Sequence, residues 1–413
     1  MTDILFKNFA LLDTEAGRLL SGFQVLVRGT AIAKVAKGAI RAPGAKVVDL
    51  KGRTLMPGLV DCHIHICMPP TGMVGPSPIL PSLLTARSAD RLREMLMRGF
   101  TTVRDGCGAD LGHKQAVELG HFVGPRLFVS GRSITQTGGH GDMRVRSDLT
   151  GLCSCAAVAN HLGRVADGVA EVRRAVREEL RLGADQIKVM AGGGVGSASD
   201  PIDQLQYSME ELKACVDETD RSHTYCMAHA YTDAAIRRCV EAGIRSVEHG
   251  NFLEPATAKM MARSGTYLVP TLVAYHSIAR FGPQIPAWTK ELLAKGAYVL
   301  SVGTRSLEVA KKAGVKIAFG TDLGWMHPEI QCEEFLIRSE VMSPAEILRS
   351  ATIVGSEVVR LKGKIGVVKA GAFADLLAVD GNPLKDLTLF QEQGKHLAAI
   401  MKDGVFVKNR LGR

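Results

Sequence analysis

Between residues 56 and 359 the sequence alternates between short apolar runs and longer stretches of helical periodicity. This alternation limits the fold more than any other feature. The strand-like runs are GLVDCHIHI, TTVRDG, RLFVSG, QIKVMAGG, YCMAHAY, SVEHGN, TYLVPTLV and KIAFGTD. Between them lie helical segments such as SADRLREMLMRG, DGVAEVRRAVREELRLGA, SMEELKACVDETDRSH and TDAAIRRCVEAG. Several end at or near glycine, as helix C-termini often do. Eight strands alternating with helices predict an α/β fold, a (β/α)8 TIM barrel over residues 56–359. Both ends of the chain read differently. ILFKNFALL, GFQVLVRG, AIAKVAKG and KVVDLKG near the start, and ADLLAVDG and AAIMKDGVFVKN near the end, are short strands between turn residues. They predict one small β-sandwich domain built from residues 1–55 and 360–413. The structural alternative, a doubly wound open sheet, would want a phosphate loop or a dinucleotide fingerprint. The best candidate, AGGGVGSAS, has neither spacing and reads as an active-site loop.

Composition narrows the function classes. The chain is 46% hydrophobic and 23% charged, ordinary for a globular protein with a sizeable core. A net charge of +9 raises the question of nucleic acid. The basic residues, however, are scattered through segments such as RLREMLMR and EVRRAVREELR, mixed with Glu, and aromatic content is only 5%. No stacking motif interleaves with them, so the charge reads as solvated helix faces with some attraction for anionic substrates. Nucleic acid is therefore not an expected partner. The nine cysteines include no CxxC pair, and the close pair Cys153 and Cys155 does not read as a metal site. Cys62 and Cys226, inside strand-like runs, read as buried reduced thiols. No run reaches the ~18 apolar residues of a membrane span. The start, MTDILFKNFALLDT, lacks a basic region followed by an apolar core, and the cytoplasm is the expected compartment.

In a barrel of this kind, reactive groups sit at the C-terminal ends of strands. The run VDCHIHI places His63 and His65 on one face of a strand, with Cys62 and Ile64 on the other. Such a pair either ligates a metal through neutral imidazoles or forms a hydrogen-bonded core pair. Lys188 lies within QIKVM, and His229 and Tyr231 end YCMAHAY facing the same way. His249 ends SVEHG, and Asp322 ends KIAFGTD. Each has a plain structural alternative: a lysine paired with a carboxylate, a satisfied core histidine, an aspartate capping a turn. Taken together, four histidines, a lysine and an aspartate at one end of a barrel form a metal-binding constellation. His140 lies in TGGHGD, where glycines permit close backbone approach. Arg144 and Arg146 follow it and are candidates to pair with a substrate carboxylate. The Pro/Gly-rich residues 67–82 read as a long loop beside the site.

The HIH after the first strand, with Lys188, His229, His249 and Asp322, resembles the amidohydrolase superfamily with a binuclear metal centre. TLMPGLVDCH ahead and GKIGVVKAGAFADLLAVDGNPL behind extend the resemblance over nearly the whole chain. More narrowly, TGGHGD, KVMAGGGV and HAY resemble the imidazolonepropionase-related branch, and within it the metal-dependent Xaa-Pro dipeptidases, or prolidases. The resemblance implies two divalent metal ions, zinc by ligand type. His63, His65 and Asp322 would hold one and His229 and His249 the other. Lys188, carboxylated by CO2, would bridge them. A lysine desolvated in a strand has a lowered pKa, so its neutral amine can attack CO2. The resemblance further implies a hydroxide shared by the ions as nucleophile, Asp322 as general base, and His140 and Tyr231 as catalytic or substrate-binding contacts. The expected reaction is hydrolysis of the peptide bond of dipeptides, Xaa-Pro or similar. Opening of a cyclic amide or lactone, as in imidazolonepropionase, is the alternative on the same ligands. A non-catalytic binding or assembly protein is a remoter one, disfavoured by the complete set of six metal-centre residues. A homo-oligomer acting on a small molecule, without nucleic acid or membrane, completes the expectation.

Overall fold

The computed structural model describes residues 2–69, 79–144, 161–197, 199–324 and 327–411. Arg146, Cys153, Cys155 and residues 70–78 of the loop after the first histidine pair fall outside them. The fold is mixed α/β. The strands Leu59–Ile64, Phe100–Asp105 and Arg126–Phe128 form a three-stranded parallel sheet with the second in the middle. Gly163–Val165, Ser133–Thr135, Ile187–Met190, Cys226–Thr232, Ser246–Phe252 and Tyr267–Val269 form a six-stranded parallel sheet in that order. The segment after Val315 bonds to both sheets. Leu268 N–H donates to Lys316 O, Ala318 N–H to Leu268 O, and Cys62 N–H to Phe319 O. On the far side Asp185 N–H donates to Val129 O at 2.7 Å, tying the end of the third strand to the start of the fourth.

Both Leu59–Ile64 and Phe100–Asp105 are buried along their whole length, as parallel strands covered on both faces are. The covering helices carry the expected signals. Met209–Arg221 opens with a capping box between Ser208 and Glu211, and Asp233–Ala242 stops at Gly243 with φ 90°. Two of the anticipated strands come out differently. In TYLVPTLV only Tyr267–Val269 is extended, because Pro270 has no N–H to continue a ladder. The chain turns instead into the helix Leu272–Phe281, with Val273 N–H donating to Glu334 Oε2 at 2.7 Å. KIAFGTD pairs through an isolated bridge at Ile317 rather than as a continuous strand, with a second bridge at Leu323 just beyond it.

The two chain ends build two further sheets. One runs Ala31–Lys37, Phe23–Arg28, Ile4–Lys7, Lys46–Asp49, and the other Val405–Asn409, Leu397–Lys402, Leu376–Val379, Thr54–Pro57, Ala10–Asp13, Arg18–Leu20. The run ILFKNFALL is split between them at Asn8, whose φ is 54°. Phe6, Leu11, Val25, Ile32, Leu376 and Met401 share the core between the sheets. Thr54–Pro57 leads straight into Leu59–Ile64 through Gly58, where a Cβ would meet Thr101 Oγ1 at 2.0 Å. The terminal sheets and the first histidine-bearing strand are therefore one continuous piece of backbone.

Candidate metal centre and active site

Six side chains from five separate stretches converge at one end of the parallel strands. His63 Nε2 lies 3.3 Å from His65 Nε2 and 3.4 Å from Lys188 Nζ. Asp322 Oδ1 is 2.9 Å from His65 Nε2 and 3.5 Å from His63 Nε2. The rings of His63 and His249 are 5.1 Å apart, those of His229 and His249 4.6 Å. All six line one cavity of about 50 Å³ together with His140 and Tyr231. Its other wall is largely apolar: Met68, Met190, Val195, Tyr275, Ile278 and Trp288.

Two of the six sit in backbone conformations that L side chains rarely adopt. His249 has φ 75° and Asp322 φ 57°. Strain of about 1–3 kcal/mol at each persists only where the surroundings over-determine it. Asp322 is fixed by its own N–H donating to His63 O at 2.7 Å. At His249 the turn in the backbone interrupts the strand alternation, so that consecutive Glu248 and His249 both reach the site.

Glu248 and Arg104 are the residues that strand-end reading missed. Glu248 Oε2 accepts from His63 Nδ1 at 2.7 Å, and Arg104 Nη2 donates to both its oxygens at 3.0 and 3.1 Å. Ser246 Oγ donates to Oε1 at 2.6 Å, and the Arg104 and Glu248 side chains are fully buried. The available signal was a charged residue inside each of the apolar runs TTVRDG and SVEHG.

The protonation pattern follows from these contacts. With Nδ1–H given to Glu248, His63 keeps its lone pair on Nε2, directed at the other ligand candidates. His249 Nδ1 is 2.7 Å from Thr271 Oγ1, and His229 Nε2 donates to Gly193 O at 3.1 Å, leaving its Nδ1 free of a proton. Burial, reinforced by neighbouring cationic groups, pushes the imidazoles of His63, His229 and His249 well below the ordinary histidine value. Burial opposes charging at His65 too, but Cys107 and Asp322 outweigh it and raise that group. Burial lowers the Lys188 amine. Burial alone would raise Asp322, yet the His65 hydrogen bond and the surrounding cations hold it below the usual carboxylate range.

A metal fits this arrangement. Ligand atoms of His63, His65 and Asp322 lie within 4.8 Å of one another. Two Nε2 atoms 3.3 Å apart beside a carboxylate are a donor set that a cation between them would satisfy. His229, His249 and Lys188 stand next to that group.

The substrate-side candidates separate. The His140 ring stacks on His229 with centroids 4.3 Å apart, and its Nδ1 is 2.7 Å from Ser197 Oγ. The Tyr231 ring is 4.8 Å from His229 and 5.2 Å from His249, and burial drives its phenol far up, keeping the proton on. Arg144 forms a two-pronged bond with Asp142, at 2.8 and 2.6 Å, and is not among the described residues that line the cavity.

Comparison with known proteins agrees with this geometry. Residues 54–407 match the Amidohydrolase family. The chain is 34% identical over 366 residues to ochratoxinase of Aspergillus niger, spanning 86% of this chain and 75% of that protein. A crystal structure of an amidohydrolase superposes with a TM-score of 0.94 at 48% identity, covering 99% of both chains. A crystal structure of a prolidase complexed with N-methylphosphonate-L-proline superposes with a TM-score of 0.94 at 43% identity, covering 99% of this chain and all of the other. The family is generally metal-dependent, in keeping with the His-His-Asp group. A match that runs from the terminal sheets through every histidine-bearing strand leaves one assignment: the chain belongs to the amidohydrolase family.

Proposed function

We propose that this protein is a binuclear metal-dependent hydrolase that cleaves the peptide bond of dipeptides, Xaa-Pro or similar, inside a closed (β/α)8 barrel. The ladder of parallel strands joined at both ends supports the barrel, and the shared core of the terminal sheets supports a separate β-sandwich of residues 1–55 and 360–413. One observation carries the functional reading: six ligand-type side chains close one end of a cavity whose other wall is apolar. The likeness to a prolidase complex points the same way. His63, His65 and Asp322 would hold one ion, and His229 and His249 the other, with Lys188 as a bridging carbamate. Zinc suits the nitrogen and oxygen donors. Such ions, when bound, polarise a carbonyl and bring the pKa of water toward neutrality.

The chain's own groups do the rest. Asp322, ionised at neutral pH, takes the proton of the attacking water. The water oxygen joins the carbonyl carbon, the C–N bond breaks, and Asp322 returns that proton to the departing nitrogen. Tyr231, protonated, donates a hydrogen bond to the substrate, and His140 binds beside it over the His229 ring. The apolar wall receives the side chains and excludes water from the reacting centre. We further propose a cytoplasmic homo-oligomer with no nucleic-acid or membrane partner; no described helix is long and apolar enough to cross a membrane.

The test is a dipeptide library on metal-loaded protein, with cyclic amides and lactones alongside. Release of amino acids from Xaa-Pro or related dipeptides is the expected result. Opening of the rings with no dipeptide cleaved would overturn the specificity.

A further inference from the structure

The glycine-rich run AGGGVGSAS lacks the spacing of a phosphate loop, and none of the catalytic steps uses it. The packing gives it a task. A Cβ at Gly193 would lie 1.7 Å from Pro201 O, and one at Gly194 would lie between 1.9 and 2.5 Å from three atoms of the His140 ring. Gly194 has no left-handed backbone, so glycine is required there by the ring seated on it. The same loop holds that ring at its edge. Ser197 Oγ bonds His140 Nδ1 at 2.7 Å, and Asp200 Oδ2 accepts from Gly194 N–H at 2.7 Å while lying 3.5 Å from His140 Nδ1. Gly193 O accepts a hydrogen bond from His229 Nε2 at 3.1 Å, and Val195 and Gly196 form part of the cavity wall. The loop is thus the seat of His140 and a partner of His229.

This seat is tied to an element far outside the ligand cluster. Lys295, on the helix Lys290–Ser301, donates from Nζ to Ser197 O at 2.7 Å, Asp200 O at 2.6 Å and Gly194 O at 3.3 Å. An ammonium has three N–H donors, and these three carbonyls give each an acceptor. Three carbonyl oxygens aimed at one point repel one another unless a cation sits between them. The helix itself is packed closely on Leu272–Phe281, since a Cβ at Gly296 would meet Ile278 at 2.9 Å. We infer that Lys295 is a positioning residue, a cationic pin that fixes Gly194, Ser197 and Asp200 and, through Ser197 and Gly194, holds His140 against the substrate. The inference rests on the proposed hydrolase reading for its kinetic consequence and on the loop geometry for its structural one.

The two can be tested apart. Lys295→Met removes the cation and keeps the length of the side chain. In metal-loaded protein it should leave metal content unchanged, because the three bonds of Lys295 run to the carbonyls of Gly194, Ser197 and Asp200 and not to a ligand candidate. It should lower kcat/KM for the best dipeptide about 10²-fold, the scale of a misplacement of about 1 Å. Hydrogen exchange of the Gly194 amide should rise at least tenfold. Lys295→Ala assayed with added n-propylamine should recover part of the lost rate, which a merely structural defect would not do. Wild-type kcat/KM in Lys295→Met, or a rate loss that simply tracks lost metal, overturns the inference while the hydrolase reading stands. If Lys295→Met does not fold, Lys295→Gln, which keeps two donors, carries the same measurements. If the wild type cleaves no dipeptide, the exchange measurement still decides: a protected Gly194 amide in Lys295→Met refutes the pin, and a tenfold rise sustains it.

Discussion

Glu248→Gln removes one charge from the buried chain Arg104–Glu248–His63 and changes almost no volume. The carboxylate has two acceptor oxygens, and all its partners are donors: His63 Nδ1 on Oε2, Ser246 Oγ on Oε1, Arg104 Nη2 on both. A carboxamide has one acceptor and an NH2. If its oxygen stays with Arg104 and Ser246, the NH2 faces His63 Nδ1 and drives that ring to the tautomer with its proton on Nε2, where a ligand needs a lone pair. If the oxygen turns to His63, the NH2 faces the guanidinium. In either orientation a fully buried Arg104 loses its counter-charge, a defect of about 3–5 kcal/mol. Unfolding entropy of about 2.1 cal/mol/K per residue gives roughly 0.9 kcal/mol/K for a chain of 413 residues. A loss of about 4 kcal/mol therefore lowers Tm by about 4–5 °C. The melt is to be run on chelator-stripped protein, so that metal release contributes nothing. A separate competition against a chromophoric chelator should show metal affinity reduced about 10- to 100-fold, as for other lost partners of a ligating histidine. A stripped Glu248→Gln protein melting within about 1 °C of wild type, with unchanged metal affinity, would refute the whole chain of reasoning.

Asp322→Asn should stay folded and lose about 10²- to 10⁴-fold in kcat/KM; near-wild-type turnover removes it as the proton carrier. Lys188→Ala should lose the metal pair, with added short carboxylic acids partly restoring it, and full metal occupancy without any bridging carboxylate refutes that role. At Glu357 burial works to raise the carboxyl, but hydrogen bonds from Lys316 at 2.6 Å and ion pairing with Lys362 at 2.9 Å outweigh it and bring it from 4.5 to about 2. A folded-state value below the unfolded one stabilises fully above the unfolded pKa and fades as pH falls through the folded one. The Tm difference between wild type and Glu357→Gln should accordingly be constant at neutral pH and shrink between pH 4.5 and about 2. A difference independent of pH across that window counts against the pairing.

The alternation of strand and helix was readable because each buried parallel strand must be a short apolar run and each covering helix an amphipathic one. The structure brings His63, Lys188, His229 and Asp322 to one cavity, and they stood out as candidates because a cluster of polar groups inside or just beyond such runs has few structural uses. The end of TYLVPTLV was misread because an apolar run does not by itself distinguish a strand from a buried helix, and Pro270 was the mark of the change. Arg144 was a candidate for its nearness in sequence to His140, and in the structure its guanidinium bonds Asp142 two residues away.

The pair Glu248 and His249 explains why the supporting carboxylate escaped notice. In a regular strand successive side chains face opposite ways, so two neighbours cannot both serve one site. The positive φ at His249 breaks that rule, and only a three-dimensional structure reveals such a break. The strained backbone does chemical work here: it lets one strand end supply a ligand candidate and, one residue earlier, the carboxylate that sets the tautomer of His63 on the opposite strand. His249→Gly would relieve the strain but delete the ligand, and Glu248→Gln keeps the strain but unsettles His63. Comparing the two in stripped protein separates the energy stored in the backbone from that stored in the buried charge. The glutamine variant should melt clearly below wild type and the glycine variant above His249→Ala, which loses the same ring and its bond to Thr271 but keeps a Cβ on the left-handed backbone, and equal melting of those two would mean that the conformation at His249 costs the fold nothing.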